Sequence, residues 1–232
     1  MSVPLYNSAV FVVIPVFNES STICSVVDAL LPLGHTLVIV DDGSKIPVSS
    51  LLKNYPAVHL LRHKVNLGQG AALQTGIDFA LAKNAGYIVT FDGDGQHAVN
   101  DITTMLLPLS AQKADIILGS RFLAPGGHNA TRSRQLTLRI ARFINYFFTG
   151  LYLSDAHNGL RAMTREAAKK IKLKENRMAH ATEILFAIKK NKLLLKEIPV
   201  TVTYTDYSRS KGQSVFNSIR IFFDLLLHKL FE

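Results

Sequence analysis

The stretch Tyr87-Ile88-Val89-Thr90-Phe91-Asp92-Gly93-Asp94-Gly95-Gln96-His97 joins a buried-strand pattern to a polar turn. Its apolar part, Tyr87 to Phe91, is short and continuous, as suits a strand covered on both faces. It ends abruptly in two carboxylates, one residue apart and flanked by glycines. In extended backbone, residues i and i+2 point the same way, so Asp92 and Asp94 can grip a single hard cation. The glycines permit a sharp turn and the close approach of a bulky anion. Asp-Gly is also ordinary turn chemistry, and the remaining chain decides between a site and a turn.

Upstream, the pattern alternates. Apolar β-branched runs at 9–15 (AVFVVIP), 36–40 (TLVIV) and 58–62 read as strands. Helical patterns fall between them at 20–31, 47–54 and 71–83, the last with Leu73, Ile77, Ala80 and Leu81 on one face. Downstream come a helix at 99–110 and a strand at 115–118. This alternation predicts an α/β fold, a mostly parallel sheet with helices on both sides. Such sheets bind ligands beyond the carboxyl ends of their strands. Four polar clusters lie at such ends: Asn18-Glu19, Asp41-Asp42, Asp92 with Asp94, and Ser120-Arg121.

The second half changes character. A helix is predicted over 131–149, with Arg132, Arg139 and Arg142 on one side and Leu136, Ile140, Phe143 and Phe147 on another. Residues 156–163 read as short and turn-rich, 165–171 as a small helix, and 181–190 as a helix containing Glu183. A strand over 193–204 carries Pro199 near an edge or bulge. The chain reads as one catalytic domain, 1–213, followed by an amphipathic helix, 214–232.

A chain of 232 residues can bury a substantial core in one domain. The single cysteine, Cys24, excludes an internal disulfide, fits a reducing compartment and reads as a small core residue. No basic stretch followed by a long apolar one opens the chain, and no run of 18 apolar residues interrupts it. The net charge of +9 is concentrated between Arg121 and Lys211, pointing to phosphorylated ligands or an anionic membrane. Nucleic acid fits poorly, since zinc-finger spacing, an RNA-binding aromatic signature and a helix-turn-helix are all missing.

The acidic clusters suit a nucleoside diphosphate. Asp92 and Asp94 would hold Mg²⁺ or Mn²⁺ bridging phosphate oxygens, with Gln96 on the metal or the sugar. His97 reads as a loop residue. Asp42 and Glu19 either accept from ribose hydroxyls or a base edge, or serve as turn and cap carboxylates. Gly68-Gln69-Gly70 outlines a phosphate cradle before a helix, without the lysine of a P-loop or dinucleotide spacing. Arg121, Arg132, Arg134, Arg161, Arg209 and Lys211 could gather a second phosphate, arginine's planar fork engaging two oxygens at once. Arg121, Arg161 and Arg209 fall in Gly- or Ser-containing segments that read as turns.

Six ordered motifs resemble family 2 glycosyltransferases: Pro15-Val16-Phe17-Asn18-Glu19, Val40-Asp41-Asp42-Gly43-Ser44, Asn66-Leu67-Gly68-Gln69-Gly70-Ala71, Asp92-Gly93-Asp94-Gly95-Gln96-His97, Gly119-Ser120-Arg121-Phe122 and Asp155-Ala156-His157-Asn158-Gly159-Leu160-Arg161. The last two are similar to the polyprenyl-phosphate branch, which includes dolichyl-phosphate mannose synthases and bacterial polyprenyl-phosphate sugar synthases. The resemblance implies a Rossmann-like GT-A fold, a GDP- or UDP-linked sugar donor, Mg²⁺ or Mn²⁺, and inverting transfer to a polyprenyl phosphate. It implies that Pro15, Asn18, Glu19, Asp42 and Gly68 line the donor pocket. Asp92, Asp94 and Gln96 would form the metal and diphosphate site. Arg121, Arg132, Ser133 and Arg161 would lie near the acceptor phosphate, with Asp155 on the same loop as Arg161. Arg209 and Lys211 would close over the donor. Asp94, Asp155 and Arg121 are the expected catalytic groups, with Asp155 available as a base that an anionic acceptor does not require.

Two departures stand out. Gln69 occupies a position where many mannose synthases carry lysine, which leaves the sugar open. Many relatives append transmembrane helices, whereas this chain offers one amphipathic helix, suited to the cytoplasmic face of a membrane or to packing on the domain. Transfer to a soluble glycan or protein, and nucleotide-sugar binding without catalysis, are the alternative readings.

Overall fold

Strand β1, Val10–Val16, is buried along its whole length except at Pro15, because both faces meet a helical layer. Val10, Val12, Ile14 and Val16 pack on one side with α1, Ile23–Leu30, and α4, Asp101–Ser110. Phe11 and Val13 pack on the other with α3, Gln69–Ala82, and α6, His180–Lys190. A continuous apolar run is what such two-sided burial requires. The computed structural model describes residues 8–123, 142–143, 146–147, 149–156 and 158–203. The predicted last helix, 214–232, and most of the helix over 131–149 lie outside them.

The remaining elements are β2 (Thr36–Asp41), α2 (Val48–Leu51), β3 (His59–Arg62), β4 (Tyr87–Thr90), β5 (Ile116–Ser120), β6 (Arg161–Thr164), α5 (Arg165–Lys170) and β7 (Leu195–Pro199). A short 3-10 turn, Leu31–Leu33, follows α1. The strands form one seven-stranded sheet in the order β3-β2-β1-β4-β6-β5-β7. Only β6 runs against its neighbours, pairing antiparallel with both β4 and β5. The expected mostly parallel sheet flanked by helices is therefore what the chain forms.

Strand β6 corrects the sequence reading, which took 156–163 as turn-rich. Arg-Ala-Met-Thr carries no β-branched run, yet Ala162 drops into one core and Met163 into the other. Pairing on both edges, not local propensity, makes this segment a strand. Strand β7 is shorter than the predicted 193–204 and ends at Pro199 on the sheet edge, where a missing N–H is tolerated.

Helix α3 lies unusually close to the sheet at Gly76. A Cβ there would fall 2.3 Å from Val13 Cγ1 and 3.2 Å from Val40 Cγ2. Among the described residues no helix is long and apolar enough to cross a membrane.

Candidate active site

The chain leaves β1 toward β2 and β3 on one side, then returns to place β4 on the other. The carboxyl ends of β1 and β4 thus flank a topological switch point, where loops diverge and leave a crevice. The loop after β1 carries Asn18 and Glu19; the loop after β4 carries Asp92 and Asp94. They are tied together, since the Thr22 hydroxyl donates to the Gly93 carbonyl at 2.8 Å.

Each carboxylate has its own environment. Asp92 Oδ2 lies 3.0 Å from His97 Nε2, and its Oδ1 accepts from Gln69 Nε2 at 3.2 Å. Burial alone would raise its pKa. The His97 hydrogen bond and the nearby charges of His97, Arg161 and His180 outweigh that and hold it below the usual range. Asp94 moves the other way, pushed up by burial and by the charge of Asp92 despite a bond from the Gln96 N–H. Gln96 grips Asp94 twice, through its backbone N–H at 3.0 Å and its side-chain amide at 2.7 Å. It therefore orients Asp94.

His97 is the residue that sequence reasoning missed. It was taken for a loop residue, but its side chain is buried against Asp92 and meets the Phe91 ring edge-on at 5.7 Å. Nothing in the local sequence marks this. The loop is folded back by backbone pairing with 201–203, through bonds from Ala98 N–H to Thr201 and from Thr203 N–H to Gln96.

The donor-side residues are held by bonds within the protein. Asp42 is buried and turned inward, accepting from the Leu67 and Gly68 N–H groups at 2.9 and 2.7 Å and meeting His63 Nδ1 at 2.7 Å. It anchors the 63–68 loop. In the Gly68-Gln69-Gly70 segment most backbone donors are already engaged within the protein. The N–H groups of Leu67 and Gly68 go to Asp42, while those of Gly70 and Ala71 go to the Asn176 carbonyl. Gly68 serves close packing: its φ is +112°, and a Cβ would strike Asn176. Asn18 and Glu19 remain at the crevice, half-buried, with Pro15 at the end of β1. Asn18 adopts a left-handed φ of 57° and bridges to the next loop, accepting from the Lys45 N–H and donating its own N–H to Ser44.

On the other flank, Asp155 receives Arg121 through three donors: backbone N–H at 3.1 Å, Nε at 2.7 Å and Nη2 at 2.8 Å. Burial would raise its pKa, but the Arg121 hydrogen bonds and charge hold it below the usual range. A carboxylate so paired is a poor base, and its bonds hold the Arg121 guanidinium in place. Glu197 on β7 supports the turn from beneath, accepting from the N–H groups of Ser154 and Asp155. Arg161 is corrected from a turn residue to the first residue of β6, only 3% exposed and within the fields of both Asp92 and Asp155. Arg132, Ser133, Arg209 and Lys211 lie outside the described residues.

The oxygen donors of Asp92 and Asp94 fit a hard divalent cation. Among the described residues no group of three His, Cys, Asp or Glu side chains forms a closed cage.

The chain is similar to several known proteins. The chain is 32% identical over 247 residues to the UDP-N-acetylglucosamine–dolichyl-phosphate N-acetylglucosaminyltransferase of Methanococcus voltae, covering 97% of each. It is 30% identical over 213 residues to the polyprenol monophosphomannose synthase of Mycolicibacterium smegmatis, covering 86% of this chain and 79% of that one. Among solved structures, Mycobacterium tuberculosis glucosyl-3-phosphoglycerate synthase in complex with Mn²⁺, UDP-glucose and phosphoglyceric acid shares the fold. Its TM-score is 0.66 at 16% identity, covering 94% of this chain and 80% of that one. Residues 11–172, from β1 through the switch point and β6, match the model of Glycosyl transferase family 2, and the chain belongs to that family.

Proposed function

We propose that the protein moves a sugar from a nucleoside-diphosphate sugar to a polyprenyl phosphate, with inversion and with a divalent cation at Asp92 and Asp94. The observation that carries this is the arrangement of the crevice. Asp92 and Asp94 follow β4, and Arg121, bonded to Asp155, follows β5, one strand apart at the same end of the sheet; the pair would serve the donor diphosphate and the arginine the acceptor. The relatives named for dolichyl-phosphate and polyprenol-phosphate products support the acceptor class. Their different sugars leave the sugar open.

The bound cation would neutralise charge developing on the departing diphosphate. The chain's own groups do the rest. Asp92 is held by His97 and Gln69, Asp94 by Gln96, so both carboxylates are set before the donor arrives. A phosphate monoester loses its second proton near pH 6 and attacks the anomeric carbon as an anion. No strong base is needed, which agrees with Asp155 being committed to Arg121. Positioning therefore dominates the rate. Residues 201–203 are paired to 96–98, beside the proposed diphosphate site.

We further propose peripheral attachment to the cytoplasmic face of a membrane. Phe143, Tyr146, Phe147, Tyr152 and Leu194 are exposed. A groove of about 500 Å³ lined by Tyr152 and Leu194 also carries Lys189, Lys192 and Lys196. Exposed aromatics beside lysines suit an anionic bilayer.

The test is incubation of purified protein with Mg²⁺ or Mn²⁺, a panel of GDP- and UDP-sugars and a polyprenyl phosphate. A chloroform-soluble, acid-labile glycolipid is expected. Transfer only to a water-soluble acceptor would overturn the lipid acceptor, and tight donor binding without turnover would overturn catalysis.

A further inference from the structure

Arg161 is a buried cation without the saturated hydrogen bonding of a structural arginine. Among the described residues its Nη1 has no hydrogen-bond partner. Desolvating a guanidinium is costly, by several kcal/mol even after relaxation, so the position is filled for its charge. The register shows which charges it serves. On β6 it lies opposite Thr90 of β4 and Leu118 of β5, strands that run on to Asp92 and to Arg121. The segment before it packs on the donor side, where the Thr90 hydroxyl donates to Gly159 and a Gly159 Cβ would meet Asp92 Oδ2 at 2.0 Å. The same segment reaches the acceptor side, where Asn158 Nδ2 lies 3.5 Å from Asp155 Oδ2.

We infer that Arg161 is a positioning residue that acts through Asp92 and Asp155 together, fixing the donor and acceptor carboxylates relative to each other, and that it does not bind the acceptor phosphate. The inference rests on the transferase reading above. Both carboxylate charges oppose the loss of its own proton, which burial would otherwise favour. Burial at 3% also removes it from any lipid-borne anion.

Donor hydrolysis separates the possibilities, because water replaces the acceptor and no acceptor phosphate is present. Arg161→Met and Arg161→Lys would be compared with the natural protein for hydrolysis of the nucleotide sugar, for transfer to polyprenyl phosphate, and for thermal midpoint. Arg161→Met should lower hydrolysis and transfer in parallel, each by about 100-fold, with acceptor KM within about threefold. Arg161→Lys, which keeps the charge, should recover both activities to within about tenfold. If Arg161→Met does not fold, Arg161→Lys alone decides, through a matched loss of both rates at unchanged acceptor KM. Natural hydrolysis by Arg161→Met, or a loss confined to acceptor KM in either variant, would overturn the inference. A natural protein that hydrolyses donor but never glycosylates polyprenyl phosphate would instead overturn the acceptor reading, leaving the Arg161 comparison intact.

Discussion

His97 reaches back across its own loop to place Nε2 3.0 Å from Asp92 Oδ2, while its other ring nitrogen, Nδ1, is buried and has no hydrogen-bond partner among the described residues. One ring nitrogen is thus committed to a carboxylate and the other contributes no hydrogen bond. The ring's task is to fix Asp92. His97→Ala should cut turnover by about 10–100-fold and raise the divalent-ion concentration needed for half-maximal rate. His97→Gln, whose amide can replace Nε2, should recover most of the loss. Metal titrations of initial rate check both, and equal loss in the two variants would assign His97 to packing against Phe91.

Asp94 carries the largest expected effect. Asp94→Ala removes the carboxylate that Gln96 holds in place, and turnover should fall by at least about 10²–10³-fold with the thermal midpoint little changed. Chelation of divalent ions should abolish activity in the natural protein, and added Mg²⁺ or Mn²⁺ should restore it. Undiminished turnover after either treatment would remove the metal model.

The Arg121–Asp155 pair ties stability to pH. The folded-state pKa of Asp155 lies below its ordinary value. Its contribution is therefore complete above the unfolded pKa, near 4, and is lost as pH falls through the folded value. Asp155→Asn should cost about 2–3 kcal/mol near neutrality, the low side for a buried pair because the Arg121 side chain is 25% exposed. In urea titrations the deficit should shrink steadily below about pH 4. A deficit independent of pH would mean that the ion pair is not its source.

The parallel half of the fold was legible because two-sided burial leaves a direct trace: a strand such as β1 has to be apolar throughout. Strand β6 left no such trace, since its four residues owe their conformation to neighbours on both edges. The acidic clusters were legible as clusters, being forced to strand ends by the same burial. Their inner wiring was not. Asp42 and Asp92 look alike in sequence, yet one is surrounded by loop N–H groups while the other faces the crevice. In the Gly68-Gln69-Gly70 segment the Gly68 N–H goes to Asp42 and the Gly70 N–H to Asn176, the latter more than a hundred residues away in sequence. Long-range backbone partners have no local signature.

The exposed aromatics make a separable claim. Phe143 and Phe147 are 67% and 72% exposed, so serine at both positions removes apolar surface without opening the core. The double variant should bind anionic vesicles at least tenfold more weakly while hydrolysing donor at the natural rate. Sedimentation with vesicles checks this, and undiminished binding would place the membrane contact elsewhere.

Gly70 tests whether the start of α3 is set from a distance. A Cβ there would fall 2.0 Å from the Glu175 carbonyl and 2.9 Å from His180 Cβ. Glu183 anchors this loop from the other side, accepting from the N–H groups of Lys174 and Glu175, so the loop cannot retreat freely. Gly70→Ala should therefore cost about 1–3 kcal/mol by overpacking, lowering the thermal midpoint by about 2–4 °C per kcal/mol. Because Gln69 is the adjacent residue and bonds Asp92, turnover should fall as well, by about tenfold. Gly34→Ala is the control: that glycine has a left-handed φ of +70° but nothing within 4 Å of an added Cβ. It should show a modest strain cost, within about 1–2 kcal/mol, and natural turnover. If Gly70→Ala lost stability but kept its rate, Gln69 would not be positioning Asp92, and α3 would only support the sheet.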